Sequence, residues 1–289
     1  MLRCAASLPV SEHGAGLLRR TQKVRLAPWD LRALPAAFLH DRLTAVIINN
    51  MLYEERIYRS LINKDNLTSY NVKIAESDLF ISSDSDLTAQ AYKSLLKQRN
   101  FIESYIKTYP EFRTSILPLA ENDLAPPIVR DMISKSKICG VGPMASVAGA
   151  VAEFVGYDLL GLTKNLIIEN GGDIFLQSEK KVTVGFFAGE SALSYKLKVI
   201  IKPEDTPLGI CTSSATVGPS LSFGKADAVC VISKSATLAD AAASAVGNRV
   251  KSKNDIKKAL AYGIKIPGVK GIVIICGNDM GATGEVEFF

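Results

Sequence analysis

From residue 67 onward, strand-length apolar runs follow one another across links of hairpin length, and the helical stretches fall between blocks of strands. That order predicts an α+β fold, mostly antiparallel sheets with packed helices, and argues against an alternating β-α-β chain. Residues 67–74 alternate, with Leu67, Ser69, Asn71 and Lys73 set against Thr68, Tyr70, Val72 and Ile74, and residues 79–82 answer them across a turn. A second hairpin is marked by Glu169-Asn170-Gly171-Gly172-Asp173 between two β segments, since Asn-Gly is a strong signal for a tight β turn. The turn accounts for Asn170, Gly171 and Gly172. It does not account for an acid at each edge, Glu169 and Asp173. Further strands are expected at residues 182–187, 197–201, 208–211, 226–233, 271–276 and 285–289, with the glycine-rich 277–284 before the last. Residues 53–62 have a mixed period and are read as the start of a strand. Helices are expected from a cap at Asp86 to a stop before Pro110, and at residues 128–136, 145–155, 237–246 and 254–261.

The densest chemistry lies in residues 212–248. A small-residue loop comes first: Thr212, Ser213, Ser214, Ala215, Thr216, Val217 and Gly218. Small residues let a backbone approach a ligand closely, and hydroxyls with free N–H groups suit phosphate oxygens. A β-branched run follows, then an alanine-rich helix that holds one acid, Asp240. A lone carboxylate there is either a ligand-binding group or a first-turn acid favoured by the helix dipole. Upstream, Gly140 to Ala145 matches GxGxxA, but Ser134, Lys135, Ser136 and Lys137 make a poor buried strand, so a dinucleotide-binding βαβ unit is not expected. Pro143 suits a first helical turn, and a helix N-terminus there, with Gly142 and Ala145, would suit a phosphate.

Several classes are excluded. Both histidines, His13 and His40, fall in the first fifty residues, so the rest of the chain has no Ser–His triad, Cys–His pair or histidine metal site. The five cysteines show no CxxC pair or metal spacing and read as reduced thiols of a cytoplasmic protein. No run of about 18 apolar residues appears, so no membrane span is expected. The net charge of +5 is concentrated in residues 1–50, which carry +4, leaving a near-neutral body with no signal for nucleic acid. That arginine-rich segment is an organelle-targeting peptide, a disordered tail, or a stretch upstream of a start at Met51. The expected division is an extension at 1–50 and one domain at 51–289.

Four motifs in order, GVGPMASVAGAVAEFVG, ENGGDI, CTSSATVGPSLSFGKADAV and LADAAASAVGN, resemble the uncharacterised ApbE-like family, a branch of the FAD:protein FMN transferase superfamily. The resemblance runs from about residue 53 to the C-terminus. It implies FAD or a related nucleotide as ligand, with magnesium held by Asp240 and Ser244, which share a helical face at i and i+4. By the same resemblance Asp173, Thr212 and Ser213 act at the reacting centre. Gly142, Ala145, Gly171, Gly172, Ser214, Thr216 and Gly218 line the nucleotide. The implied partner is a small-molecule nucleotide, with a protein acceptor or a homo-oligomer left open. The chain departs from the transferases in lacking their histidine-containing stretch after the loop, and has Ala215 and Pro219 where a glycine and a histidine are expected.

Two other readings stay open. The closer branch is associated with sulfide incorporation in homocysteine synthesis. Cys139 and Cys211 each adjoin a site loop, where a lowered thiol pKa would suit sulfur transfer and ordinary burial would not. The other is a flavin-binding module without turnover.

Overall fold

The computed structural model describes residues 67–194, 196–216 and 222–289. The expectations for residues 1–66 and for Gly218 and Pro219 lie outside them.

Eight strands form one sheet: β1 (Thr68–Ile74), β2 (Ser77–Ser83), β3 (Leu166–Asn170), β4 (Asp173–Gln177), β7 (Leu208–Ser213), β8 (Ala228–Ser233), β9 (Val269–Cys276) and β10 (Asp279–Gly284), in that spatial order. Every neighbouring pair is antiparallel. A separate hairpin, β5 (Val182–Gly185) with β6 (Lys198–Ile201), makes a second small sheet. The helices are α1 (Thr88–Thr108), α2 (Pro127–Cys139), α3 (Val147–Leu159), α4 (Ala236–Gly247) and α5 (Ile256–Gly263). The α+β expectation is met, and the hairpins fall where their turn residues placed them.

Alternation along the strands divides the core in two layers. Leu166, Ile168 and Phe175 pack with α1, α2 and α3, while Val229, Val231, Ile272 and Ile274 pack with α4 and α5. Ile167, Leu176, Ile210, Cys230 and Val273 face the other way, onto Val199, Ile201 and Phe186 of the β5–β6 side. The sheet is thus covered on both faces, which explains why β8 reads as an unbroken apolar run.

Three boundaries differ from the sequence reading. The expected helix over 145–155 begins as a 3-10 turn at Pro143–Ser146 and becomes α-helical only at Val147. The helix expected over 128–136 runs on to Cys139, where Gly140 caps it in the left-handed conformation, so the GxGxxA match has no strand before it, as expected. The last strand is the glycine-rich segment itself. A two-residue turn at Gly277 and Asn278 pairs Cys276 with Asp279 and starts β10, and residues 285–289 form no strand but lie along β6 through one β bridge, Val199 to Phe288, and against β9 through the Glu285 N–H on the Lys270 carbonyl. Narrow residues in β10 let α5 lie against this edge, since a Cβ on Gly281 would sit 2.7 Å from Ile256.

A carboxylate fixes the link between the α3–β3 turn and β2. Asp84 accepts from the Thr163 hydroxyl, the Lys164 and Asn165 N–H groups and the Asn165 amide, at 2.8 to 3.0 Å. Desolvation is the largest single influence and raises the pKa, but these donors together outweigh it and hold the carboxyl down at about 2. Asp84→Ala is expected to cost about 1–3 kcal/mol, read as a fall in the urea midpoint at pH 7, because charge-assisted bonds are worth about that much. The gap between parent and variant should narrow as pH falls below about 4 and close only below about 2, where Asp84 is protonated in both states.

Candidate functional site

The site is built where three elements meet on the helical face of the sheet: the β3–β4 turn, the first turn of α3, and α4. Gly171 and Gly172, at φ 67° and 102°, make the tight turn that the sequence marks. The turn places Asn170 and Asp173 as direct partners across the two strands. Asp173 shares its strand face with Phe175, which lies in the helix-side core, so its carboxyl points towards α3 and α4.

Helix α4 is pinned at its start by Glu153 of α3. One Glu153 oxygen accepts from the Ser235 hydroxyl at 2.9 Å and from the Thr237 N–H and hydroxyl at 2.8 and 2.7 Å, satisfying donors that a helix N-terminus leaves free. Along α4 every residue is buried except Asp240 and Ser244. Alanine at the remaining contact positions brings the neighbouring backbones close, and the i, i+4 pair is left as its open stripe.

Asp240 Oδ2 accepts the Gly149 N–H at 2.9 Å. The carboxylate therefore sits at the N-terminal turn of α3, where free N–H groups and the helix dipole favour negative charge. Burial opposes this and wins, raising its pKa to about 7. Asp173, 6% exposed, accepts the Thr212 N–H at 3.1 Å. Its carboxyl is pushed well above the usual range, first by burial and then by the charge of Asp240. Burial thus raises both carboxyls, and the charge of Asp240 adds to the rise at Asp173.

The other expected residues are placed as follows. Ser213 lies on the helical face, since a Cβ on Gly247 would be 3.6 Å from its hydroxyl oxygen. Thr212 contributes only its N–H there. Its side chain pairs across the strands with Cys230 on the opposite face of the sheet, because neighbours in a strand point opposite ways. Ser214 and Thr216 are engaged in their own loop, with the Thr216 hydroxyl 3.2 Å from Asp227. Gly142 owes its small size to the protein, not to a ligand: a Cβ there would fall 1.9 Å from the Ser115 carbonyl oxygen. Ala145 is half-buried and packs against the α4–α5 core. Among the described residues, a groove of about 380 Å³ lined by Glu121, Asp123, Arg130, Asp131 and Phe154 lies on α2, apart from the Asp173–Asp240 face.

Cys139 and Cys211 are both buried. Burial, with the charge of Asp240 added, lifts Cys139 to about 12, and burial with Asp173 and Asp240 lifts Cys211 well above its ordinary value. This is the reverse of the lowered pKa that a sulfur-carrying thiol needs. Cys211 instead donates to the Ala236 carbonyl at 3.3 Å and tightens the contact between β7 and α4. Cys139, Cys211 and Cys230 are expected to resist iodoacetamide in the native protein at pH 8 and to react after denaturation, read by mass spectrometry. Rapid native labelling of Cys211 would restore the sulfur reading.

Sequence reasoning missed Glu153 as a determinant of α4, and gave Asn170 no part beyond its turn. Asn170 is 8% exposed and its amide donates to the Ala148 carbonyl at 3.0 Å. Its partner lies 22 residues away, where no local pattern reaches.

An antiparallel sheet with packed helices is also the fold of a flavinyl transferase of the ApbE type. The apo crystal structure of the flavinyl transferase ApbE from Pseudomonas stutzeri matches 75% of this chain and 94% of its own, with a TM-score of 0.50 at 14% identity, a likeness of fold. The chain belongs to the family described as AbpE bacteria, which matches residues 59–282. A UPF0280 protein of Methanococcus aeolicus is 40% identical over 221 residues, covering 74% of this chain and 89% of that relative. Another, of Methanocaldococcus jannaschii, is 41% identical over 219 residues with the same coverage. Among the described residues no single helix is long and apolar enough to cross a membrane.

Proposed function

We propose that the protein binds FAD or a related nucleotide pyrophosphate together with magnesium on the Asp173–Asp240 face, and acts on the pyrophosphate bond. The observation that carries this reading is the pair of carboxylates, Asp173 and Asp240, both raised in pKa by burial and the first also by the charge of the second, with a partly open serine one helical turn on from Asp240.

The donor set fits magnesium. Among the described residues no three His, Cys, Asp or Glu side chains gather into a cage. Magnesium seldom needs one: it is usually held by one or two carboxylates, with phosphate oxygens and water completing the shell. Asp240 and Ser244 would hold the ion, both through oxygen. The Ser244 hydroxyl makes no hydrogen bond among the described residues, which leaves it available. When bound, the ion supplies neutralisation of phosphate charge.

The protein's own groups do the rest. The Gly149 N–H holds Oδ2 of the Asp240 carboxylate, and the Ala148 N–H also favours its charged form. The Thr212 N–H holds Asp173 so that it can orient a water or a ligand hydroxyl. Ser213 presents its hydroxyl at the C-terminal side of α4, one turn beyond Ser244. Transfer of the flavin part to a protein acceptor belongs to the same proposal, with the fold of a flavinyl transferase as its support.

The test is a titration of the 289-residue protein with FAD, with and without magnesium, while AMP is followed by chromatography. Magnesium-dependent binding with release of AMP supports the proposal in full. Magnesium-dependent binding without AMP restricts it to a binding module. FAD that fails to bind under either condition overturns it.

A further inference from the structure

Helix α3 holds α4 at two points, and both come from one face of α3, at Gly149 and Glu153. The Gly149 N–H takes Asp240 Oδ2 at 2.9 Å. Glu153 Oε2 takes the Ser235 hydroxyl and the Thr237 N–H and hydroxyl at 2.9, 2.8 and 2.7 Å. Between the two points the backbones touch, since a Cβ on Gly149 would lie 2.3 Å from the Ala236 carbonyl oxygen. With both attachments made, α4 has one axial position against α3. A slide of one residue moves a helix by about 1.5 Å, enough to part the Gly149 N–H from Asp240.

Glu153 is more than capping requires. Ser235 already caps α4 in the ordinary way, its hydroxyl accepting the Leu238 N–H at 3.2 Å. A buried carboxylate is costly, and Glu153 is only 5% exposed. Burial raises its pKa and the charge of Asp131 adds to the rise, against the donors of Thr237 and Ser235. What the side chain supplies is reach: an oxygen delivered to α4 from α3 at a fixed length. We propose that Glu153 is a positioning residue, which sets the register of α4 on α3 and so aims the Asp240 carboxylate. This rests on the function proposed above for Asp240 and adds the residue that orients it.

Three variants of the 289-residue protein test it. Glu153→Gln keeps the length and an acceptor oxygen. Glu153→Asp keeps the charge but is one methylene shorter. Ser235→Ala removes the cap of α4 and one bond to Glu153, and leaves both bonds from Thr237. Two quantities are measured under conditions where each variant is folded: affinity for FAD with magnesium, and exchange of the Gly149 amide hydrogen in the ligand-free protein, followed by NMR. That amide lies in the first turn of α3, where a helix offers it no partner of its own, so its protection reports the bond to Asp240. Glu153→Asp is expected to lose about tenfold or more in affinity. Its Gly149 amide should exchange faster by more than the rest of α3 does. Glu153→Gln should stay close to the parent in both, and Ser235→Ala should do so despite a lower stability. Glu153→Asp that matches the parent in both quantities overturns the proposal. So does Ser235→Ala that falls as far as Glu153→Asp, which would make the effect one of helix stability. Glu153→Gln that fails as Glu153→Asp does would make charge, not reach, the requirement, and also overturns it. Parent protein that binds no FAD with magnesium sinks the function proposed above instead. The Gly149 exchange is read without ligand and still decides whether Glu153 sets the contact.

Discussion

Asp240→Asn is expected to remove magnesium-dependent nucleotide binding while making the metal-free protein more heat-stable at pH 8. The two effects share one cause. The amide keeps the size of the side chain and an oxygen for the Gly149 N–H, so α3 and α4 stay in contact. What goes is the negative charge, which burial opposes and which itself raises Asp173. In the folded chain the Asp240 carboxyl titrates at about 7, against an ordinary 3.8. The folded state therefore holds a proton that the unfolded chain releases above pH about 4. The stability this supplies is complete below the unfolded value and is lost as pH rises through about 7. The metal-free parent should thus melt lower at pH 8 than at pH 5, and Asp240→Asn should flatten that slope. The gain at pH 8 should be on the order of 2 kcal/mol, discounted because Asp240 is partly open to solvent. For a chain of this size that is a rise of several degrees in Tm, at about 2–4 °C per kcal/mol. Magnesium with FAD should raise the parent's Tm at pH 8 and leave the variant's unmoved, since only a ligand that binds the folded state stabilises it. A variant that still binds FAD as tightly as the parent, and only with magnesium, would remove Asp240 from the metal.

The same pair of residues shows how far the sequence could be read. Asp240 was visible because an acid among alanines is out of keeping, and Asp173 because it edges an Asn-Gly turn. Both signals are local. Their meeting is not, since it depends on β4 and β7 pairing and on α4 folding back across them. Hairpin turns announced most of the strands, whereas the order of the sheet, with β4 beside β7 and the β5–β6 hairpin set apart, left no local trace. Thr212 shows a different gap. Its hydroxyl was counted with those of Ser213 and Ser214 by composition. Strand β7 runs on to Ser213, and its alternation sends Thr212 to the face of Cys230. Extending the period-2 reading by two residues would have separated them. Gly142 and Cys211 were read as site residues because small or reactive types stood near the motifs. In the fold Gly142 is occupied by packing against Ser115, whereas the Cys211 thiol, bonded to the Ala236 carbonyl, lies against Asp173.

Gly149→Ala is expected to be among the most damaging single-methyl additions in the protein. A Cβ on Gly149 would lie 2.3 Å from the Ala236 carbonyl oxygen and 2.8 Å from the Asp240 Cβ. The first of these is backbone, in a helix held at its start by three hydrogen bonds to Glu153, so it cannot turn aside as a flexible side chain can. The helices must move apart, and alanines that pack along α4 on both sides of the contact lose their neighbours. Overpacking of this kind typically costs about 1–3 kcal/mol, and a backbone obstacle places the substitution at the upper end. Glycine is the poorer helix former by about 1 kcal/mol, so the clash is offset in part and the net loss should be about 2 kcal/mol. A fall in the urea midpoint at constant slope would report it. The functional loss should exceed what that instability explains. Parting the helices lengthens the bond from the Gly149 N–H to Asp240 Oδ2 and frees the carboxylate to rotate. Even under conditions where the variant is fully folded, its affinity for FAD with magnesium should drop about tenfold or more, a displacement of reacting groups being costly at that scale. A variant that is destabilised yet binds as the parent does would show that Asp240 needs no fixed orientation. The contact between α3 and α4 would then be a matter of packing alone.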